Sequence, residues 1–219
     1  MHIAIVGGHG KVALRLHPLL AQAGHTPVAL VRNNAYRDEL HGLGAEVRIL
    51  DIENANAAAF AAAFAGCDAV VFAAGGGPDG NIVRKRTVDL EGSLKSIDGA
   101  RQAGVTRFVQ VSAIGVDNPP PRDRGEVWRA YVEAKRDADA ALRASGLDWT
   151  IIRPGRLTDD EATGLVALGP HVPRGDVTRA DVAAVLAAVL ENDDTAGHQW
   201  NLVGGDTTVP EAVAGALAA

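Results

Sequence analysis

Six short apolar runs, each separated from the next by a helix-length stretch, narrow the folds open to this chain more than any other feature. They are "HIAIV" (2–6), "PVALV" (27–31), "EVRIL" (46–50), "AVVFA" (69–73), "RFVQVS" (107–112) and "WTIIR" (149–153). Between them lie patterns of helical type: "KVALRLHPLLAQAG", "NAAAFAAAFAG", "TVDLEGSLKSIDGARQAG" and "WRAYVEAKRDADAALRASG". Several of these close on a glycine shortly before the next run, a helix-stop signal. Strands that are apolar on both faces and joined by helical crossovers predict a parallel sheet covered on both sides. The expected fold is therefore α/β, a Rossmann-type doubly wound sheet, with residues 1–219 forming a single domain.

Two segments break the rhythm. "GVDNPPPRDRGEV" (115–127) reads as a proline-rich charged loop after the fifth strand, and 155–178 as a long irregular stretch after the sixth. In open α/β sheets ligands lie beyond the carboxyl ends of the strands, so both are expected on the binding side, unless they are merely solvated connections. Residues 155–178 and the C-terminal region are expected to form a reduced substrate-side extension. Hydrophobic residues make up 47% of the chain and the formal charge is −6, which argues against a general nucleic-acid binder. The longest apolar stretch, 57–74, is broken by Gly66 and Asp68 and reads as helix then strand rather than a membrane span. No signal-peptide pattern opens the chain, so a cytoplasmic location is expected. The single cysteine, Cys67, and the scattered histidines suggest no metal site.

The turn after the first run carries the first chemical signal. In "IAIVGGHGKVALRL" (3–16), Gly8, Gly10 and Ala13 fit G-x-G-x-x-A, while Gly7, Gly10 and Ala13 equally fit G-x-x-G-x-x-A. Either register, set between a strand and a helix, suits a dinucleotide diphosphate at a helix N-terminus. A structural turn would explain the glycines alone. Gly7, Gly8, His9, Gly10, Lys11 and Val12 are the expected contacts. The second run ends in Arg32 and Asn33, with no acid before Asp38. An acid there would accept from the ribose hydroxyls of NAD, whereas an arginine suits a 2′-phosphate. The expected cofactor is NADP(H) rather than NAD(H), although a solvated arginine is the plainer reading.

"RAYVEAK" sets Tyr131 and Lys135 four apart on one helical face, and Ser112 closes the fifth run. A phenol beside an ammonium is expected to have its pKa lowered, since the neighbouring charge favours the anion. In carbonyl reduction Tyr131 would donate a proton while Ser112 hydrogen-bonds the same oxygen, and Lys135 would also hold the nicotinamide ribose. The alternative is a packing tyrosine and a surface lysine.

"GGHGKVA", "LVRN", "LDIE", "VVFAAGG", "VSAIG", "YVEAK" and "WTIIRPGRLT" follow one another in a familiar order. On them the chain resembles an atypical member of the short-chain dehydrogenase/reductase superfamily. Its branch includes biliverdin reductase B (flavin reductase) and small epimerase/dehydratase-like proteins. The resemblance implies that Asp51 and Ile52 flank adenine and that Ala73, Ala74 and Gly75 line the cofactor cleft. It also implies that Pro154, Gly155, Arg156 and Leu157 border the nicotinamide, with Ser112, Tyr131 and Lys135 at the family's catalytic positions. His9 departs from the branch, where threonine is commoner. The chain after "RPG" is also short for a nucleotide-sugar epimerase.

The expected activity is NADPH-dependent reduction of a small carbonyl, quinone or flavin-like substrate, by a monomer or small homo-oligomer without nucleic-acid or membrane partners. A non-catalytic NADP(H) sensor and an epimerase/dehydratase-like enzyme are the alternatives. "TDDE" (158–161) and "RKR" (84–86) are expected to be solvated, "GGG" (75–77) to give mobility over the cofactor, and the tryptophans to be packing anchors.

Overall fold

The computed structural model describes residues 1–77, 80–120 and 122–219. In chain order the elements begin with β1 (His2–Val6), α1 (Ala13–Gln22), β2 (Thr26–Val31), α2 (Arg37–Gly42), β3 (Glu46–Ile49), α3 (Ala57–Phe64) and β4 (Ala69–Phe72). A single turn, α4 (Ile82–Arg84), then runs through a π-helical turn (Lys85–Leu90) into α5 (Glu91–Ala103) and β5 (Arg107–Val111). After α6 (Gly125–Arg143) and β6 (Asp148–Pro154) come the short strands β7 (Arg156–Thr158), β8 (Leu165–Gly169) and β9 (Asp176–Thr178). The chain closes with α7 (Arg179–Leu190), β10 (His198–Gly204), β11 (Thr207–Thr208) and α8 (Val209–Leu217).

Among the described residues the main sheet has nine strands in the order β11-β8-β10-β6-β5-β4-β1-β2-β3. All pairings from β3 to β10 are parallel, and β8 runs antiparallel to both β10 and β11. This is the Rossmann-type α/β fold expected. The strand order reverses at β1, which pairs with β2 on one side and β4 on the other, so a crevice opens beyond Val6 and Phe72.

Strand alternation divides the core in two. Ile3, Ile5, Val71, Val109 and Ile152 face a cluster with α1, α7 and α8. Ala4, Val6, Val70, Phe72 and Phe108 face the other side, packing with Phe60 and Phe64 of α3, Ile97 of α5 and Leu142 of α6. Edge strand β3 is the exception to the two-sided burial expected, because no strand lies beyond it and Ile49 is half exposed.

The stretch 155–178 is more regular than its sequence suggested. β7 pairs with β9 in a small second sheet, and β8 joins the main sheet. Strands of three residues are too short to show a hydrophobic period, which is why they read as loop. The 115–127 segment includes Pro121, which lies outside the described residues.

Arg107 fastens the C-terminal part to the sheet. Its guanidinium, only 7% exposed, donates to Asp148 O and Thr150 Oγ1 at 2.9 Å and to Val189 O and Thr195 Oγ1 at 2.8 Å. Truncation would strand several buried acceptors at once, so Arg107→Ala is expected to destabilise the protein by on the order of 3 kcal/mol. Urea unfolding checks this, and an unchanged midpoint would contradict the fastening role.

Candidate functional site

At the end of β1 the chain turns because Gly7 adopts φ 82°, a conformation unfavourable for residues with a Cβ. Space forbids a side chain there as well, since a Cβ on Gly7 would sit 2.8 Å from Ala74 Cα beyond β4. Gly10 N donates to Gly7 O at 2.8 Å, and Leu14 N donates to Gly10 O at 2.9 Å, carrying the chain into α1. The amides of His9, Lys11 and Val12 donate to no backbone carbonyl among the described residues. They are the free donors of a helix N-terminus, where anions are favoured. His17 braces the turn from within, its Nε2 2.7 Å from Gly8 O, and burial pushes its pKa down.

The turn forms one wall of a cleft of about 260 Å³. Gly7, Gly8, His9 and Gly10 line it together with Arg32, Tyr36, Asp51, Ile52, Ala73, Ala74 and Gly75, among others. His9 stacks on Tyr36, with centroids 3.6 Å apart and planes within 5°, and its Nε2 lies 2.8 Å from Glu39 Oε2. Arg32 is exposed at the rim. The Asp51 carboxylate accepts from Asn54 Nδ2 at 2.8 Å and Glu53 N at 3.0 Å, and these bonds hold its pKa low.

Of the contacts expected at the glycine turn and the end of β2, Lys11, Val12 and Asn33 are not among the lining residues, and their side chains are engaged elsewhere. Val12 is buried in the core. Asn33 Oδ1 accepts from Ala35 N, capping a short turn. Lys11 Nζ reaches Asp159 Oδ2 at 2.5 Å, and Arg179 donates to Asp159 Oδ1 at 2.8 Å. Asp159 of the "TDDE" loop therefore ties that loop to the glycine turn rather than simply facing water.

A second and larger cavity, about 890 Å³, opens beyond β5 and β6. Tyr131 and Trp128 of α6 line it, together with Ala113, Lys85 and the run Pro154, Gly155, Arg156 and Leu157. The expectation that Lys135 lowers the Tyr131 pKa is not met. Burial pushes the phenol up, and the opposing pull of Lys135 is countered by Asp89 and Asp139. Lys135 is itself buried, with Nζ 3.3 Å from Asp89 Oδ1 and 3.2 Å from Val111 O. Burial works against its charge, but Asp89, Tyr131 and Asp139 together raise its pKa. It lines neither cavity.

Ser112 is likewise turned inward. Its Oγ donates to Asp139 Oδ2 at 2.7 Å, and at the end of β5 it is Ala113 that borders the cavity. Asp139 also accepts from Gln110 Nε2 at 2.7 Å and Arg153 Nε at 2.9 Å. Arg153 pairs with Asp117 as well, at 2.5 and 3.0 Å, and its hydrogen bond holds the Asp117 carboxyl below the usual range. A hydroxyl with one proton, committed to Asp139, would have to leave it to reach a substrate oxygen.

Several residues at the larger cavity and the glycine run were not legible in the sequence. Lys85 of "RKR" is 6% exposed, donates to Gly77 O and lies 5.7 Å from the Tyr131 ring centroid. Its available signal was Val88, three residues on and also buried. Gly76 N donates to buried Asp89 at 2.8 Å, so the glycine run is tethered on both sides. Trp128 borders the cavity, whereas Trp200 is buried in the core.

A family model described as NAD(P)H-binding matches residues 7–193. The chain belongs to this NAD(P)H-binding family. It is 36% identical over 214 residues to the uncharacterized sugar epimerase YhfK of Bacillus subtilis, covering 97% of this chain and 99% of that protein. A Bacillus halodurans structure, named provisionally as an NAD-dependent epimerase/dehydratase, superposes with TM-score 0.91 at 40% identity, covering 98% of this chain and 99% of the other. An anaerobilin reductase of Escherichia coli O157:H7 superposes with TM-score 0.74 at 25% identity, over 95% and 99% of the two chains.

The residues present fit the family's cofactor. A side chain on Gly7 would fill the space beside Ala74, and the free amides behind it suit a diphosphate. Among the described residues, no helix is long and apolar enough to cross a membrane. Gly7→Ala combines a strained φ with a backbone clash, so NAD(P)H affinity is expected to fall at least about tenfold. Calorimetric titration measures this, and undiminished affinity would contradict the cradle.

Proposed function

We propose that this chain is an NADPH-dependent reductase of small carbonyl, quinone or flavin-like substrates. The observation carrying the reading is Tyr131, a phenol at the wall of the larger cavity whose burial keeps its proton on. When bound, NADPH supplies a hydride. The chain supplies the cavity and, for a carbonyl, the Tyr131 proton as negative charge grows on the substrate oxygen.

Epimerisation through transient oxidation needs a base to take a hydroxyl proton. A phenol held above its ordinary pKa of about 10 is poorly suited to that task. The same feature suits the reductive direction. Lys135 and Ser112 serve this reading as positioning residues, Lys135 through Asp89 and Ser112 through Asp139. The glycine turn would hold the diphosphate, Arg32 the 2′-phosphate, and Asp51 with Ile52 the adenine end. Residues 154–157 would border the nicotinamide. The 155–178 segment would shape the substrate side of a single cytoplasmic domain, working as a monomer or small homo-oligomer, while the chain after it packs with α1 on the sheet.

Steady-state reduction of an aldehyde with NADPH and NADH, in parallel on three proteins, tests the reading. Tyr131→Phe is expected to lower turnover at least about a hundredfold with NADPH affinity nearly unchanged. Arg32→Ala is expected to abolish a preference for NADPH over NADH. Because the Tyr131 pKa is raised, the wild-type rate should persist through the ordinary tyrosine range and fall only as pH rises above about 10. Full turnover in Tyr131→Phe would remove the proton donor. Equal use of both nucleotides by the wild type would remove the role of Arg32.

A further inference from the structure

The larger cavity is unusual in its charge. Five cations line it, Lys85, Arg124, Arg156, Arg174 and Arg179, against one acid, Asp176. The protein as a whole carries a formal charge of −6, so this concentration runs against the average of the chain. Two of the five are neutralised. Arg156 forms a forked pair with Asp176, and Arg179 pairs with Asp159 at 2.8 Å.

Three are not. Among the described residues, no carboxylate lies within ion-pair distance of Lys85, Arg124 or Arg174. Lys85 is almost fully buried, with a backbone carbonyl and the Tyr131 ring as its company. Holding an ammonium out of water without a counter-charge is costly. Arg124 lies 5.7 Å from the Trp128 ring, and the Arg174 guanidinium lies over Gly115, 2.6 Å from where a Cβ would stand. Both arginines also line a small adjoining recess of about 40 Å³, so two like charges face one space. The remaining lining includes the apolar residues Ile114, Val127, Trp128 and Leu157.

We propose that the cavity selects an anionic substrate: a carbonyl compound with an apolar body and a phosphate or carboxylate group, gripped by Arg124 and Arg174 with Lys85 deeper in the cavity. Forked guanidinium groups bind either oxyanion through charge-assisted hydrogen bonds. This rests on the reductase reading for the carbonyl but not for the anion. Lys85, beside Tyr131, then links the two ends of the substrate.

Three aldehydes of similar shape separate the possibilities: methyl 4-formylbenzoate, 4-formylbenzoate and 4-formylphenyl phosphate. Their affinities for the NADP⁺-saturated protein are measured by calorimetry, and their kcat/KM values by NADPH oxidation. At least one anion is expected to bind about tenfold or more tightly than the neutral ester. That ratio should shrink as salt is raised and collapse toward one in the Arg124→Ala/Arg174→Ala double variant. The better of the two anions identifies the group the cavity is built for. A wild-type ratio near one, or a ratio that survives in the double variant, overturns the proposal. Tight, arginine-dependent binding of an anion with no aldehyde reduced would uphold the anion site and count against the reductase reading. Equal kcat/KM for all three aldehydes would do the reverse.

Discussion

The approach of Gly7 to Ala74 is the contact on which the rest depends. Parallel strands β1 and β4 are neighbours, so the backbones leaving them at Val6 and Phe72 must pass within a few ångströms of each other. Only a bare backbone in a left-handed conformation lets the chain turn there and present α1 end-on to the crevice. Free amides at His9, Lys11 and Val12 follow from that turn, and His17 fixes the Gly8 carbonyl on the opposite side. The cofactor cleft is thus a consequence of sheet topology combined with the absence of a side chain.

Electrostatics then separates the two halves of the site. Beneath the larger cavity, buried charges are matched: Asp89 faces Lys135, and Asp139 faces Arg153. Such pairs contribute little net stability, but removing one partner leaves a charge stranded in the interior. They hold Gly76, Ser112 and Gln110 in fixed positions. Between them Tyr131 gains no net help toward ionisation, because burial holds its proton and the two carboxylates oppose the pull of Lys135. In the cavity itself the matching fails, with Lys85, Arg124 and Arg174 left without carboxylates among the described residues. Neutral where it is structural and cationic where it is open, the region has the charge pattern of a binding surface.

Much of this architecture was legible in the sequence. Six apolar runs announced the strands β1 to β6, and the glycine turn announced the crevice, because both rest on local patterns that burial largely enforces. β7 and β9 were not legible, since a three-residue strand owes its existence to its partner. Tyr131 could be identified from its spacing, but its protonation could not, because its burial and the nearness of Asp89, 42 residues away, arise only through the fold. Ser112 and Ala113 show the same limit: a strand alternates sides, and the sequence alone does not say which neighbour looks into the cavity. Lys85 was hidden among adjacent charges, and only the phase of the π-helical turn turns it inward.

Hydrogen exchange resolved to single amides tests the cradle most directly. On adding NADPH, exchange at His9, Lys11 and Val12 should slow markedly, because amides that bond no backbone carbonyl in the free protein would gain the diphosphate as acceptor. NADPH that binds while protecting only other segments, leaving these three amides unchanged, would contradict the account.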